Sequence, residues 1–112
     1  MKLIVVRSLP AAGMALFPFI LVKTHDLKLN KAIINHEKIH LRQQLELLLI
    51  PFYILYLLNY LLNLLYYWQH DKAYLNIVFE REAYANERNL SYLKTRRFWS
   101  WLRYFNAAFA SK

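Results

Sequence analysis

The chain has 112 residues, with Lys plus Arg at 15, Asp plus Glu at 7 and a formal net charge of +8. Its length suits one compact domain, 1–112, and a hydrophobic content of 58% excludes a disordered chain. No cysteine is present, which excludes disulfide scaffolds, thiolate zinc sites and thiol catalysis, and a single glycine with three prolines excludes collagen-like or low-complexity repeats.

Taken in chain order, Lys2–Val6 and Phe17–Val22 are short apolar or β-branched runs separated by Pro, Ala and Gly. They predict two strands, with a hairpin as one arrangement. Arg7, Pro10 and Pro18 interrupt the apolar start, so it reads poorly as a secretory signal. Lys23–Leu29 is polar and loop-like, and Asn30 is an N-cap for a helix over Lys31–Ile50. Pro51 kinks or restarts the chain, and a second helix covers Phe52–Trp68. Gln69–Lys72 is a turn, a third helix covers Ala73–Leu93 and a fourth covers Arg97–Ala110. The expected fold is mainly α with a short N-terminal β element.

From Leu47 to Gln69 the chain carries no charge, and between Leu47 and Trp68 only Pro51, Asn59 and Asn63 are not apolar or aromatic. That length suits a bilayer core, whereas the two amides share a helical face that should meet protein or a polar cavity. Membrane association is expected ahead of the alternative, a buried core helix. No acid follows Glu87, while Arg88, Lys94, Arg96, Arg97, Arg103 and Lys112 interleave with aromatic residues. As an amphipathic helix this tail aligns Phe98, Trp101, Leu102, Phe105 and Phe109, a stripe that either meets lipid headgroups or packs on the domain.

Residues 36–40 read His-Glu-Lys-Ile-His. At i and i+4 on a helix, the His36 and His40 imidazoles converge, and two imidazoles so placed hold Zn²⁺ while Glu37 reaches a water on the ion. With four His and five Glu in the chain, chance placement gives this motif about 0.006 times, so it is moderately specific. A catalytic zinc needs a third protein ligand and an open position. Glu82 is the candidate, because it shares a helical face with Leu75 and Val78, and a carboxylate among apolar residues calls for a cation. Asn86, one turn on, is the candidate partner for the outer nitrogen of a ligand histidine. Glu80 and Glu87 are expected to face elsewhere, pairing with Arg81, Arg88 or solvent, and His25 and His70 to lie on the surface. Leu29, Ala32, Ile33, Gln43, Gln44 and Leu47 follow the histidine face and predict a semi-buried site. In that setting Glu37 is the general base for attack on a peptide carbonyl. Phe19–Val22 is a candidate edge for an extended substrate, and Tyr84 and Arg81 are candidate oxyanion stabilisers.

These residues resemble the gluzincin zinc peptidases, in which His-Glu-x-x-His is followed later by a Glu ligand. Arg81-Glu82-x-x-Ala85-Asn86 resembles the Arg-Glu-x-x-Ala-Asp segment of the HtpX-type membrane peptidases. Phe17 to Glu87 is similar to the BlaR/MecR-type membrane peptidase domain, and Asn35–Gln44 with Phe79–Glu87 resembles small bacterial proteins of the Bacteroidetes type. The resemblance implies a minimal zincin-like helical domain: a His-Glu-x-x-His helix, a hydrophobic helix, a Glu-ligand helix and a C-terminal amphipathic helix. It implies His36, His40 and Glu82 as Zn²⁺ ligands and Glu37 as the base, in a bacterial cytoplasmic membrane. The chain departs from the family in having Asn86 where an Asp is usual.

The expected function is therefore a membrane-associated zinc metallopeptidase acting on a peptide or protein substrate. The alternative is a non-enzymatic membrane or interaction protein with a structural or vestigial metal site. Nucleic-acid binding rests on net charge and the Arg-aromatic tail alone and is not expected.

Overall fold

The computed structural model describes residues 2–105. Strands β1 (Lys2–Val5), β2 (Gly13–Leu16) and β3 (Phe19–Val22) form one sheet in the order β1–β3–β2. β1 is parallel to β3, with Lys2 opposite Phe19, and β2 is antiparallel to β3, with Gly13 opposite Val22. The hairpin therefore joins β2 to β3, and Phe19–Val22 is the central strand. It has no open edge for a substrate, contrary to expectation. β2 escaped the sequence reading because Gly-Met-Ala-Leu contains no β-branched residue, and pairing with β3 sets its conformation.

Helix α1 (Lys31–Glu46) starts as expected, with the Asn30 side chain accepting the Ile33 N–H at 3.1 Å. It ends at Glu46 rather than Ile50, because Leu48 and Leu49 take positive φ values of 58° and 70° in a sharp turn. Helix α2 (Ile50–Tyr67) then begins with Pro51 in its first turn, where a missing N–H leaves no intrahelical bond unmade. The predicted third helix is three pieces: α3 (His70–Leu75), α4 (Val78–Asn86) and α5 (Tyr92–Thr95). The first break is at Ile77, which is extended, and Asn59 of α2 accepts the Val78 N–H at 2.8 Å as a cap supplied from another helix.

Within the predicted C-terminal helix, a left-handed Trp99 and a short 3₁₀ turn at Ser100–Arg103 precede helical Tyr104 and Phe105, and residues 106–110 lie outside the described residues. Trp101 is buried against Phe79, with ring centroids 5.0 Å apart, while Phe98 and Leu102 are exposed. The expected stripe is thus split, and Phe109 and Lys112 lie outside the described residues.

Two apolar clusters flank α1 and α4. Leu47, Phe52, Ile77, Val78, Phe79 and Trp101 pack between α2, α4 and the C-terminal turn. Ala15, Ile20, Val22 and Leu41 pack between the sheet and α1. Full burial of a side chain such as Phe79 stabilises the fold by about 1.5–3 kcal/mol.

Helix α2 is long and apolar enough to cross a membrane, and only 6% of its residues are buried within the chain. Its inner face is polar as well as aromatic, and Asn63 donates to the Ala73 carbonyl at 3.1 Å. Its outer face exposes Ile54, Leu57, Leu58, Leu61, Leu62 and Leu65.

Candidate metal centre

Helices α1 and α4 pack antiparallel. The Asn35 amide donates to the Asn86, Glu87 and Asn89 carbonyls at the end of α4, whereas Gln43 reaches the Phe79 carbonyl at its start. His36, His40 and Gln43 are spaced i, i+4, i+7 and form one stripe of α1. Glu80, Tyr84 and Glu87 have the same spacing on α4 and its C-cap, and all three touch His36.

The structure brings His36, His40 and Glu80 together, all buried, with one candidate ligand atom from each lying within 4.8 Å of the others. Glu80 Oε1 is 3.0 Å from His36 Nε2 and 2.9 Å from His40 Nε2. Tyr56 on α2 donates to the other oxygen, Oε2, at 2.5 Å. The outer nitrogens also have partners: Glu87 Oε1 at 2.8 Å from His36 Nδ1, and Gln43 Oε1 at 2.7 Å from His40 Nδ1.

The expected third ligand, Glu82, is not at this point. It lies about 200° around α4 from Glu80, since successive helical residues turn by about 100°. There it is fully buried and accepts from Gln43, Tyr92 and Arg96. Glu82 shares its face with Val78, four residues before it in α4, but not with Leu75, which the break at Ile77 leaves in a separate helix. The Glu80–Tyr84–Glu87 spacing was the signal that could have found the correct face.

Asn86 does not serve the histidines either. Its amide donates to the Glu82 carbonyl and to Tyr104, and the outer-nitrogen role falls to Glu87 and Gln43. Of the other expectations, Gln43, Gln44 and Leu47 are buried but Leu29 is exposed. His25 and His70 are on the surface, His70 beside the Tyr60 hydroxyl at 2.8 Å.

The residues present fit a divalent cation. Each imidazole directs one nitrogen at an outer acceptor, leaving both inner nitrogens aimed at the same carboxylate oxygen. A carboxylate faced by imidazole lone pairs needs a positive charge among them, either a proton or a metal ion. Tetrahedral zinc with bonds of about 2.0 Å holds its ligand atoms about 3.3 Å apart, a few tenths of an ångström beyond the two Glu80 contacts here and inside the 4.8 Å that bounds all three atoms. Two imidazoles and one carboxylate are also a recognised zinc donor set.

Electrostatics follow the same geometry. Burial disfavours the charged His40 imidazole, but the charge of Glu80 and the bond to it push the pKa up to about 9. Burial likewise raises the Glu80 carboxyl, and His40 and His36 outweigh it, holding Glu80 well below the usual carboxylate range. In metal-free protein, His40 therefore stabilises the fold fully below its unfolded value near 6.5, and that contribution is lost as pH rises through about 9. Glu80 contributes above its unfolded value near 4.3, a contribution lost on acidification. Calorimetry in chelator should show Tm falling by several degrees from pH 6.5 to 9, and a flat Tm there contradicts this coupling. Saturating Zn²⁺ should remove the fall, because the ion replaces the proton.

Beside the cluster is a cleft of about 260 Å³. Its walls are β2, Glu37, His40 and Gln44 of α1, Phe52, Tyr53 and Tyr56 of α2, Tyr74 and Glu80. Glu37 is buried and makes no hydrogen bond to another described residue; burial lifts its carboxyl above the ordinary value against the pull of His40 and His36. Gly13, the only glycine in the chain, passes so close that a Cβ there would lie 3.0 Å from Glu37 Oε2. Tyr84 and Arg81, the expected oxyanion groups, are not in the cleft wall; Tyr74 is, with its hydroxyl 3.1 Å from that of Tyr84.

β2 is the open edge at this cleft. The Lys23 N–H to Ala12 carbonyl bond fixes the alternation, so Met14 and Leu16 bond toward β3. Gly13 and Ala15 consequently direct their N–H and C=O outward. Gln44 covers part of that edge, donating to the Ala15 carbonyl at 2.8 Å and accepting the Phe17 N–H at 2.9 Å.

Comparison with family models, with curated proteins and with solved structures finds no match for the chain.

Proposed function

We propose that the protein is a zinc-dependent hydrolase of peptide bonds, bound to a membrane surface. The observation that carries this reading is the convergence of His36 Nε2 and His40 Nε2 on one Glu80 oxygen, with Glu37 beside them opening on the cleft. His36, His40 and Glu80 would hold the ion, and Glu80 replaces Glu82 in that role. When bound, Zn²⁺ supplies Lewis-acid polarisation and lowers the pKa of a coordinated water to about 7.

The chain's own groups do the rest. Glu37, with its raised proton affinity, takes a proton from the attacking water and returns it to the leaving amine. An extended peptide pairs with the outward Gly13 carbonyl and Ala15 N–H, and Gln44 ends that pairing at the Ala15 carbonyl. Tyr74, a residue of the cleft wall, would supply the donor for developing negative charge.

The apolar outer face of α2 supports membrane contact. Its inner face, however, carries Tyr56, Asn59, Tyr60 and Asn63, hydrogen-bonded along the helix to α3 and α4. Those polar groups would have to enter the hydrocarbon if α2 crossed it. We therefore read α2 as lying along the bilayer surface, with its leucines immersed.

Metal analysis tests the centre. Wild type and Glu82→Gln should carry one zinc per chain, and His36→Ala and Glu80→Ala should carry none. Chelation of wild type should lower Tm, since binding at 1,000 times Kd adds about 4 kcal/mol to the folded state. Zinc retained in Glu80→Ala and lost in Glu82→Gln would return the ligand role to Glu82. A metallated protein without hydrolytic activity across several unfolded substrates would favour a structural metal site.

A further inference from the structure

We propose that Arg96, which lies outside both ligand-bearing helices, fixes which nitrogen of His40 is offered to the metal, acting through Glu82 and Gln43. The inference rests on the metal-centre reading above and concerns a positioning residue, not a ligand.

The chain of constraints begins at the guanidinium, whose side chain is 1% exposed. Arg96 Nε donates to Glu82 Oε2 at 2.5 Å and a terminal nitrogen to Oε1 at 3.0 Å; the same side chain grips both oxygens of Glu46 at 2.6 and 3.0 Å. A guanidinium has five donors, no acceptor, and does not deprotonate in proteins. Both Glu82 oxygens thereby act as acceptors, and the Tyr92 hydroxyl donates to Oε2 as well at 2.6 Å.

Any further partner of Glu82 must be a donor. That partner is Gln43 Nε2, 2.9 Å from Glu82 Oε1 and 3.2 Å from the Phe79 carbonyl. Both neighbours are acceptors, so the amide has one permitted orientation; the flipped one would set its oxygen against a carboxylate and a carbonyl. Gln43 Oε1 therefore faces His40, 2.7 Å from Nδ1, and as an acceptor it requires a proton there. The His40 lone pair is left on Nε2, the nitrogen directed at Glu80. His36 has no such relay, because Glu87 meets its Nδ1 directly.

The purpose of burying Glu82 and Gln43 follows from this. A histidine free to exchange tautomers offers its inner lone pair only part of the time, and outer partners that fix a ligand histidine are worth 10–100-fold in metal affinity. Here the final element of that support comes from the segment after α5, so docking of residues 96–99 is part of building the site. Trp99 reinforces it, its N–H donating to Glu46 Oε2 at 2.9 Å.

The experiment uses ¹⁵N-labelled full-length protein titrated with ZnCl₂, read by long-range ¹H–¹⁵N imidazole spectra and by competition for the zinc. In wild type, zinc should occupy His40 Nε2 and the Nδ1–H signal should exchange slowly. Gln43→Leu removes the relay while leaving Arg96, Glu82, Glu46 and Tyr92 paired. It should bind zinc 10–100-fold more weakly with fast Nδ1–H exchange, whereas Tm in chelator stays within a few degrees of wild type. Arg96→Lys keeps the charge without the fork and should fall between the two. Coordination through His40 Nδ1 in wild type, or wild-type affinity in Gln43→Leu, overturns the proposal. Should Gln43→Leu not fold, the wild-type nitrogen assignment and Arg96→Lys still decide it. A wild type that binds no zinc overturns the metal reading itself, a separate and recognisable failure.

Discussion

Replacing Glu37 with Gln is expected to lower peptide hydrolysis by about 10²–10⁴-fold while leaving zinc content unchanged. Gln preserves the size of the side chain against Gly13 and keeps the cleft wall intact. It removes only the lone pair that accepts the proton. The metal should stay, since Glu37 is not among the converging groups His36, His40 and Glu80. Steady-state cleavage of an unfolded protein, with zinc measured on the same preparation, checks both halves. Undiminished cleavage would remove Glu37 from the reaction, and zinc lost together with activity would make it a structural neighbour of the ions' ligands.

The largest expected effect on stability belongs to Arg96→Met. Glu46 and Glu82 have side chains 2% and 0% exposed, and Arg96 is the cation both share. Removing one partner of a buried ion pair typically destabilises by about 3–5 kcal/mol, because the charge left behind has no water to return to. Two carboxylates are stranded here, so the shift belongs at or above the upper end of that range. The urea midpoint should drop accordingly. A shift under about 1 kcal/mol would mean that water reaches the pair and that its worth is that of a surface bridge.

Much of the architecture was legible in the chain. Asn30 announced the start of α1, Pro51 separated α1 from α2, and the i, i+4 spacing put His36 and His40 on one face. Each is a local signal with a local cause. What failed was everything that depends on a distant partner. β2 exists because β3 pairs with it, and the α3–α4 break exists because Asn59 caps Val78 from another helix. Glu80, expected to pair with Arg81, Arg88 or solvent, faces the histidines instead, and Glu82, expected there, faces Arg96. The burial of Glu82 was rightly anticipated from its apolar flanks; the cation that answers it is a guanidinium from the C-terminal segment, which no spacing rule connects to position 82. The uncharged run was readable as apolar, but its two-sided character depends on where α3 and α4 fall.

Gly13 ties the proton affinity of Glu37 to how the sheet sits on α1. With no side chain at that position, strand backbone lies directly over the carboxylate and helps keep it dry. Lifting the hairpin by an ångström or two would admit solvent and return Glu37 toward the behaviour of an ordinary surface acid. The proton affinity of Glu37 is thus graded by the seating of a strand that presents only backbone to it.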